Sequence, residues 1–139
     1  MKTEDDIEGF VRRWVATYGS GDLEGAMACY TPDVAFEDPI FGEHISGRAA
    51  LRDAFARFFF TGVTTLVFRQ WTGGVDGGAA EWEWTADWGP ARTFLGYDCS
   101  NRRFVVRGSS VLTLRDGLIC RQTDYWDARG ALRQLGVLL

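Results

Sequence analysis

The stretch Glu81-Trp82-Glu83-Trp84-Thr85-Ala86-Asp87-Trp88 constrains this chain more than any other. Residues two apart share a face of a β-strand, so this segment puts Trp82, Trp84, Ala86 and Trp88 on one side and Glu81, Glu83, Thr85 and Asp87 on the other. Helical spacing would scatter the indoles around an axis. The segment therefore predicts a strand with one aromatic, covered face and one polar face. The neighbouring runs agree. Phe104, Val106, Gly108, Ser110, Leu112 and Leu114 oppose Arg103, Val105, Arg107, Ser109, Val111 and Thr113. Four strands are expected, near Thr64–Trp71, Ala79–Trp88, Arg102–Arg115 and Leu118–Trp126. Gly73-Gly74 and Gly77-Gly78 frame the first turn, Gly89-Pro90 opens a longer connection, and Asp116-Gly117 is a two-residue hairpin signal. The Glu-bearing and Arg-bearing faces can pair across strands, as a solvated ladder or as a dimer surface.

The first half of the chain reads as helix. Ile7, Phe10, Val11, Trp14, Val15 and Tyr18 follow the spacing of a single helical face, with Thr3 and Asp6 placed for a capping box and Gly19-Ser20-Gly21 as the stop. Asp22 can cap a second helix reaching to about Tyr30, ended by Thr31-Pro32. Val34–Asp38 reads as a short strand, and the segment after it as a loop. Ser46 can cap a third helix whose buried face is Leu51, Phe55, Phe58 and Phe59. Asp127 can cap a last helical turn, Ala128–Leu135, closed by Gly136. Helices first and an antiparallel meander after them define an α+β fold. The expected form is one domain over residues 1–139, a curved, largely antiparallel sheet wrapped around the N-terminal helices and leaving a cone-shaped cavity.

Composition narrows the function. With six Trp and ten Phe, the aromatics exceed the needs of ordinary packing at this length and suit either a dense core or a lined cavity. The net charge of −4, a single lysine and the absence of any basic stripe argue against nucleic acid. Apolar runs are too short for a membrane span, and acidic residues directly after Lys2 argue against a secretory leader; a soluble, cytoplasmic protein is expected. Cys29, Cys99 and Cys120 are widely spaced and read as reduced, mostly buried thiols. With one histidine and no paired ligand spacing, neither a metal nor another cofactor is expected.

Two stretches, RWVATYGSGDLEGAMACYTPDVAFEDPIFGEHISGRAALRDAF (13–55) and LRDGLICRQTDYWDARGALRQLG (114–136), resemble the nuclear transport factor 2-like superfamily. The first is similar to the front half of a ketosteroid isomerase, the second to the end of a SnoaL-type polyketide cyclase. The resemblance implies the cystatin-like roll, a homodimer packed across the sheet face, with Arg103, Arg107 and Glu83 on that face, and a small apolar ligand as partner. It places Asp38 on the isomerase's general base and Asp124 on the cyclase's catalytic aspartate. Trp14 falls on the isomerase's oxyanion-hole tyrosine. Ser110 falls both on its protonated aspartate and on the cyclase histidine, fourteen residues before Asp124. Those replacements argue against steroid isomerisation. The Asp-Arg-Asp set of limonene epoxide hydrolases and the histidine-centred site of scytalone dehydratases are not matched.

The expected site thus has Asp124, Asp38 and Ser110 as catalytic groups. Trp14, Tyr18, Phe36, His44, Trp82, Trp84, Phe104, Gln122 and Trp126 are the ligand-binding candidates. Each has a plainer reading. Asp38 before Pro39 can simply stop a strand, Asp124 can be a surface strand residue, Tyr18 can be core, and a loop His44 can be solvated. Two functions fit: an isomerase, cyclase or dehydratase using an aspartate base on a carbonyl compound, or a non-catalytic binding or dimerisation module that keeps the cavity.

Overall fold

A computed structural model describes residues 3–57, 59, 64–90 and 92–137. Its centre is a six-stranded, curved, unclosed sheet. The strands are β1 (Tyr30–Asp38), β2 (Glu43–Ser46), β3 (Thr64–Gly74), β4 (Gly77–Asp87), β7 (Arg103–Arg115) and β8 (Leu118–Trp126). Their order across the sheet is β2-β1-β8-β7-β4-β3. All neighbours are antiparallel except β1 and β8, which run parallel. Register shifts between Phe68 and Gln70, and between Thr113 and Leu114, bend the sheet.

The alternation expected from sequence holds on β4 and β7. Trp82, Trp84, Ala86, Phe104 and Val106 are all buried, and Trp88, next after β4, is buried with them. Against this face lie α1 (Glu4–Ser20), packed on β3, and α3 (Arg48–Arg57), packed on β1. The α1 stripe of Ile7, Phe10, Val11, Trp14, Val15 and Tyr18 is buried as its spacing requires. Its capping box forms: the Asp6 N–H donates to Thr3 Oγ1 at 3.2 Å, and the Thr3 N–H donates to Asp6 Oδ2 at 3.0 Å. Asp22 and Asp127 cap α2 (Leu23–Met27) and α4 (Ala128–Gln134). Asp116 and Gly117 both take positive φ, 53° and 79°, as a two-residue hairpin turn with the twist of its strands demands.

Four local expectations are corrected. Helix α2 ends at Met27, and Tyr30-Thr31-Pro32-Asp33 already belongs to β1, because Tyr30 pairs with Ile119 and Cys29 O accepts the Ile119 N–H. The segment after Asp38 is not all loop: Gly42 (φ 72°) turns the chain into β2, which pairs antiparallel with β1. Ser46 ends β2 rather than capping α3; Gly47 O, at φ 90°, accepts the Leu51 N–H instead. The long connection after Gly89 holds a small hairpin, β5 (Thr93–Phe94) with β6 (Tyr97–Asp98). On α3, Leu51 and Phe55 are buried and the following Phe59 is half-buried; Phe58 lies outside the described residues. Cys99 is buried, whereas Cys29 and Cys120 are only half-buried, and none of the three forms a disulfide among the described residues.

Candidate functional site

The aromatic face of the sheet and the inner faces of α1 and α3 do not close completely. Tyr18, Asp38, Phe59, Leu66, Trp82, Trp84, Ser110, Asp124 and Trp126 surround a narrow space with room for about one water. A wider groove lies beside it, walled by Phe36, Phe41, Phe55 and Phe59 with Glu43 and Arg57 at its rim. Asp38 and Phe59 belong to both, so they form the partition between groove and inner space.

Asp124 sits on β8 and is 7% exposed as a residue. Alternation along β8 turns Gln122, Asp124 and Trp126 to the same side, and Ser110 stands directly opposite on β7. Ser110 Oγ–H donates to Asp124 Oδ1 at 2.6 Å and Gln122 Nε2–H donates to the same oxygen at 2.9 Å. Ser110 Oγ in turn accepts the Trp82 indole N–H at 3.0 Å. On the far side, Trp14 Nε1–H donates to Tyr30 Oη at 3.0 Å, and Tyr30 Oη–H donates to Gln122 Oε1 at 2.6 Å. Burial takes the carboxylate out of water and pushes the Asp124 pKa up from 3.8 to about 7, against the pull of Ser110 and Gln122. The charge of Asp38 adds to the rise. The Tyr18 phenol is held far above its ordinary range, first by burial and then by Asp124, so it stays protonated.

Asp38 is engaged differently. Its Oδ1 accepts the backbone N–H groups of Ile40 and Phe41 at 3.0 and 3.1 Å, and its Oδ2 accepts the Trp126 indole N–H at 3.1 Å. The first pair is the turn that Asp-Pro signals; the third ties the turn to the last strand. Burial raises its pKa, and these three donors oppose the rise.

The structure brings Asp124, Asp38, Ser110, Tyr18, Trp82, Trp84 and Trp126 around one space. Gln122 and Phe104 stand behind that wall, Gln122 bonded to Asp124 and Phe104 packed edge-on against Trp84. Phe36 lines the outer groove. Three assignments change. Trp14 cannot offer its N–H to a ligand, because that hydrogen goes to Tyr30. Ser110 cannot offer its hydroxyl proton either, because Trp82 fills its acceptor side and Asp124 takes the proton. His44 is not over the cavity: it is exposed on edge strand β2, paired with Glu37. Sequence reasoning missed Tyr30, which lies at the end of a helix-like pattern; its place two positions before a strand-compatible Pro32 is the only signal that it starts β1. Among the described residues, no three His, Cys, Asp or Glu side chains gather as a metal site, and no helix is long and apolar enough to cross a membrane.

The curved, unclosed mixed sheet with helices against one face is the fold of nuclear transport factor 2-like proteins. The chain belongs to the SnoaL-like domain family, whose profile matches residues 11–122. TsrD from Streptomyces laurentii is similar over 95% of this chain and 96% of its own, with 26% identity and a TM-score of 0.77. A candidate polyketide cyclase from Xanthomonas campestris pv. campestris matches over 95% and 98% of the two chains, with 21% identity and a TM-score of 0.79. AclR from Streptomyces galilaeus, a candidate hydroxylase, matches over 98% and 88%, with 19% identity and a TM-score of 0.75. At these last two identities the likeness is one of fold.

Proposed function

We propose that this protein abstracts a proton alpha to the carbonyl of a small apolar compound, as an isomerase, cyclase or dehydratase working without a cofactor. The observation that carries the reading is the arrangement at Asp124: both protein hydrogen bonds fall on Oδ1, and the carboxyl has a pKa near 7 in a dry, aromatic-walled space. A base of that strength is half ionised at neutral pH. The apolar body of the ketone would lie in the outer groove of Phe36, Phe41, Phe55 and Phe59, and the inner space, which as it stands holds about one water, must widen past Asp38 and Phe59 to admit the α-carbon. Asp124 Oδ2 then takes the α-hydrogen as a proton, the C–H electron pair becomes the enolate double bond, and the carbonyl oxygen gains charge. The Tyr18 hydroxyl stays protonated on the same wall, but it is hydrogen-bonded with Tyr30 and Gln122 and so, like Trp14 and Ser110, is engaged inside the protein. Return of the proton to another carbon completes an isomerisation. Asp38 shapes the mouth and its bonded oxygens leave the base role to Asp124.

The test uses 2-tetralone, an apolar bicyclic ketone with acidic α-hydrogens. Its α-C–H signals are followed by proton NMR in D2O with and without protein. Exchange faster than the buffer rate, rising along a titration with a midpoint near 7, supports the reading; exchange at the buffer rate sinks it. One observation favours a second reading, a binding module: the two donors inherited at Trp14 and Ser110 are committed inside the protein. A module of that kind quenches its tryptophan fluorescence on binding the ketone and leaves the α-hydrogens in place.

The same reading includes a homodimer across the outer sheet face. Val67, Val111 and Tyr125 are exposed there, at 55%, 46% and 50%, beside Arg107. The expected Glu83–Arg107 ladder is absent among the described residues: the two are register partners, but Glu83 pairs with Arg69 at 3.8 Å. Arg107 is therefore open to a second copy. Light scattering at micromolar concentration should give twice the 15.6 kDa chain mass, and Tyr125→Glu should halve it. A wild-type mass of one chain would end this proposal.

A further inference from the structure

The hydrogen bonds around Asp124 all run one way, and the ends of the chain of donors explain it. An indole N–H donates and cannot accept. Trp14 therefore turns the Tyr30 hydroxyl proton away from itself; the short bond takes it to Gln122 Oε1, with the Tyr18 hydroxyl hydrogen-bonded to the same Tyr30 and Gln122. A Gln122 that shows oxygen to Tyr30 must show its Nε2 hydrogens to Asp124 Oδ1. Trp82 does the same from the opposite side through Ser110. Oδ1 thus receives two donors whether the carboxyl is charged or neutral.

We propose that Trp14 is a positioning residue: acting through Tyr30 and Gln122, it fixes Asp124 Oδ1 as a standing acceptor and leaves Oδ2 as the oxygen that gains and loses the proton. This rests on the assignment of Asp124 as base. Trp14 touches neither the ligand space nor Asp124, so proximity alone would not mark it. The whole relay is buried: Trp14, Tyr30, Ser110 and Gln122 are each 1% exposed or less, and no water competes for its direction. Without the Trp14 N–H, the Tyr30 hydroxyl can turn. Gln122 can then rotate and present Oε1 to a protonated Oδ1. The neutral carboxyl then gains an acceptor for its own proton, which it lacked before.

The titratable groups facing Asp124 are Tyr18 on α1 and Tyr30 and Asp38 on β1. Both phenols are pushed above their ordinary range and stay neutral, and the Asp38 carboxyl carbon is to be followed in the same spectra. The experiment follows the Asp124 side-chain carboxyl carbon by NMR from about pH 4 to 9 in wild type, Trp14→Phe, Tyr30→Phe and the double variant. Each single change should raise the midpoint by about half a unit or more, and the double variant should shift no further than Tyr30→Phe alone. A native-like Trp14→Phe protein with an unmoved midpoint, or additive shifts, overturns the proposal while leaving Asp124 as base. A wild-type midpoint in the ordinary carboxylate range overturns the base assignment itself. Should Trp14→Phe fail to fold, 3-benzothienylalanine at position 14 keeps the indole shape without the N–H, and the same midpoint decides.

Discussion

Asp124→Asn is expected to reduce protein-catalysed α-hydrogen exchange in 2-tetralone by at least about a hundredfold, the range a positioned general base contributes. The substitution keeps size, and an asparagine Oδ1 can still accept from Ser110 and Gln122, so the space and its ligand affinity should survive. The variant should also be the more stable protein above neutral pH. Asp124 titrates at about 7 in the folded state against a model value of 3.8. Below pH 3.8 both states hold the proton and the shift has no effect. Between 3.8 and about 7 the unfolded chain ionises while the native carboxyl stays neutral, so stability is progressively lost as pH rises. Asparagine has no such loss. Chemical denaturation near pH 8 should favour the variant by up to ~4 kcal/mol, and the advantage should vanish near pH 4. Equal stability of the two proteins at both pH values would mean that the carboxylate is solvated.

Gly108→Ala should disrupt the site without replacing a polar side chain. Gly108 stands on the inner face of β7 between Phe104-Val106 and Ser110, directly across from Trp82 on β4 and Trp126 on β8. A methyl there would meet Trp82 Cζ3 at 2.5 Å and the Tyr125 carbonyl oxygen at 2.7 Å. The carbonyl belongs to the β8 backbone and cannot swing aside, so the Trp82 ring must. The missing side chain is what lets that indole lie across β7 and reach Ser110. A loss of about 1–3 kcal/mol in stability is expected from the crowding, together with a broken Trp82–Ser110 bond and a higher Asp124 midpoint. Thermal melting and the carboxyl titration measure the two effects separately. A protein that melts with wild type and titrates with it would show that Trp82 has another place to go.

Much of this fold is legible because strong patterns have one solution. Trp82, Trp84 and Trp88 alternate with charged residues, and only a strand covered on one side accommodates them. Thr3, Asp22 and Asp127 announce helix starts through a chemistry that acts within four residues. Asp116-Gly117 announces its hairpin likewise. The elements that escaped are short and lean on distant partners. β2 is a four-residue edge strand whose existence depends on β1, and the start of β1 at Tyr30 depends on β8, far along the chain. At the site, the sequence brings Asp124, Ser110 and Gln122 together by register. It cannot say which way a hydroxyl or an amide points. That depends on Trp14 and Trp82 at the ends of the relay, and it is why Ser110 and Trp14, read as donors to a ligand, turn out to be donors to the protein.

The parallel pairing of β1 with β8 has a consequence for how the molecule is made. Asp38 and the Trp126 indole that binds it are 88 positions apart, and Tyr30 and Gln122 are 92 apart. Both contacts close across this one strand pair. Loop closure over such spans is slow and comes late. On the ribosome, the aromatic hairpin of β3 and β4 and the helices before it can form while the last strand is still unmade, but β1 then has an open edge where β8 belongs. The middle of the carboxylate relay, Gln122 and Asp124, is therefore delivered last, by the final strand, and a nascent chain carries a sticky edge until Trp126 has emerged.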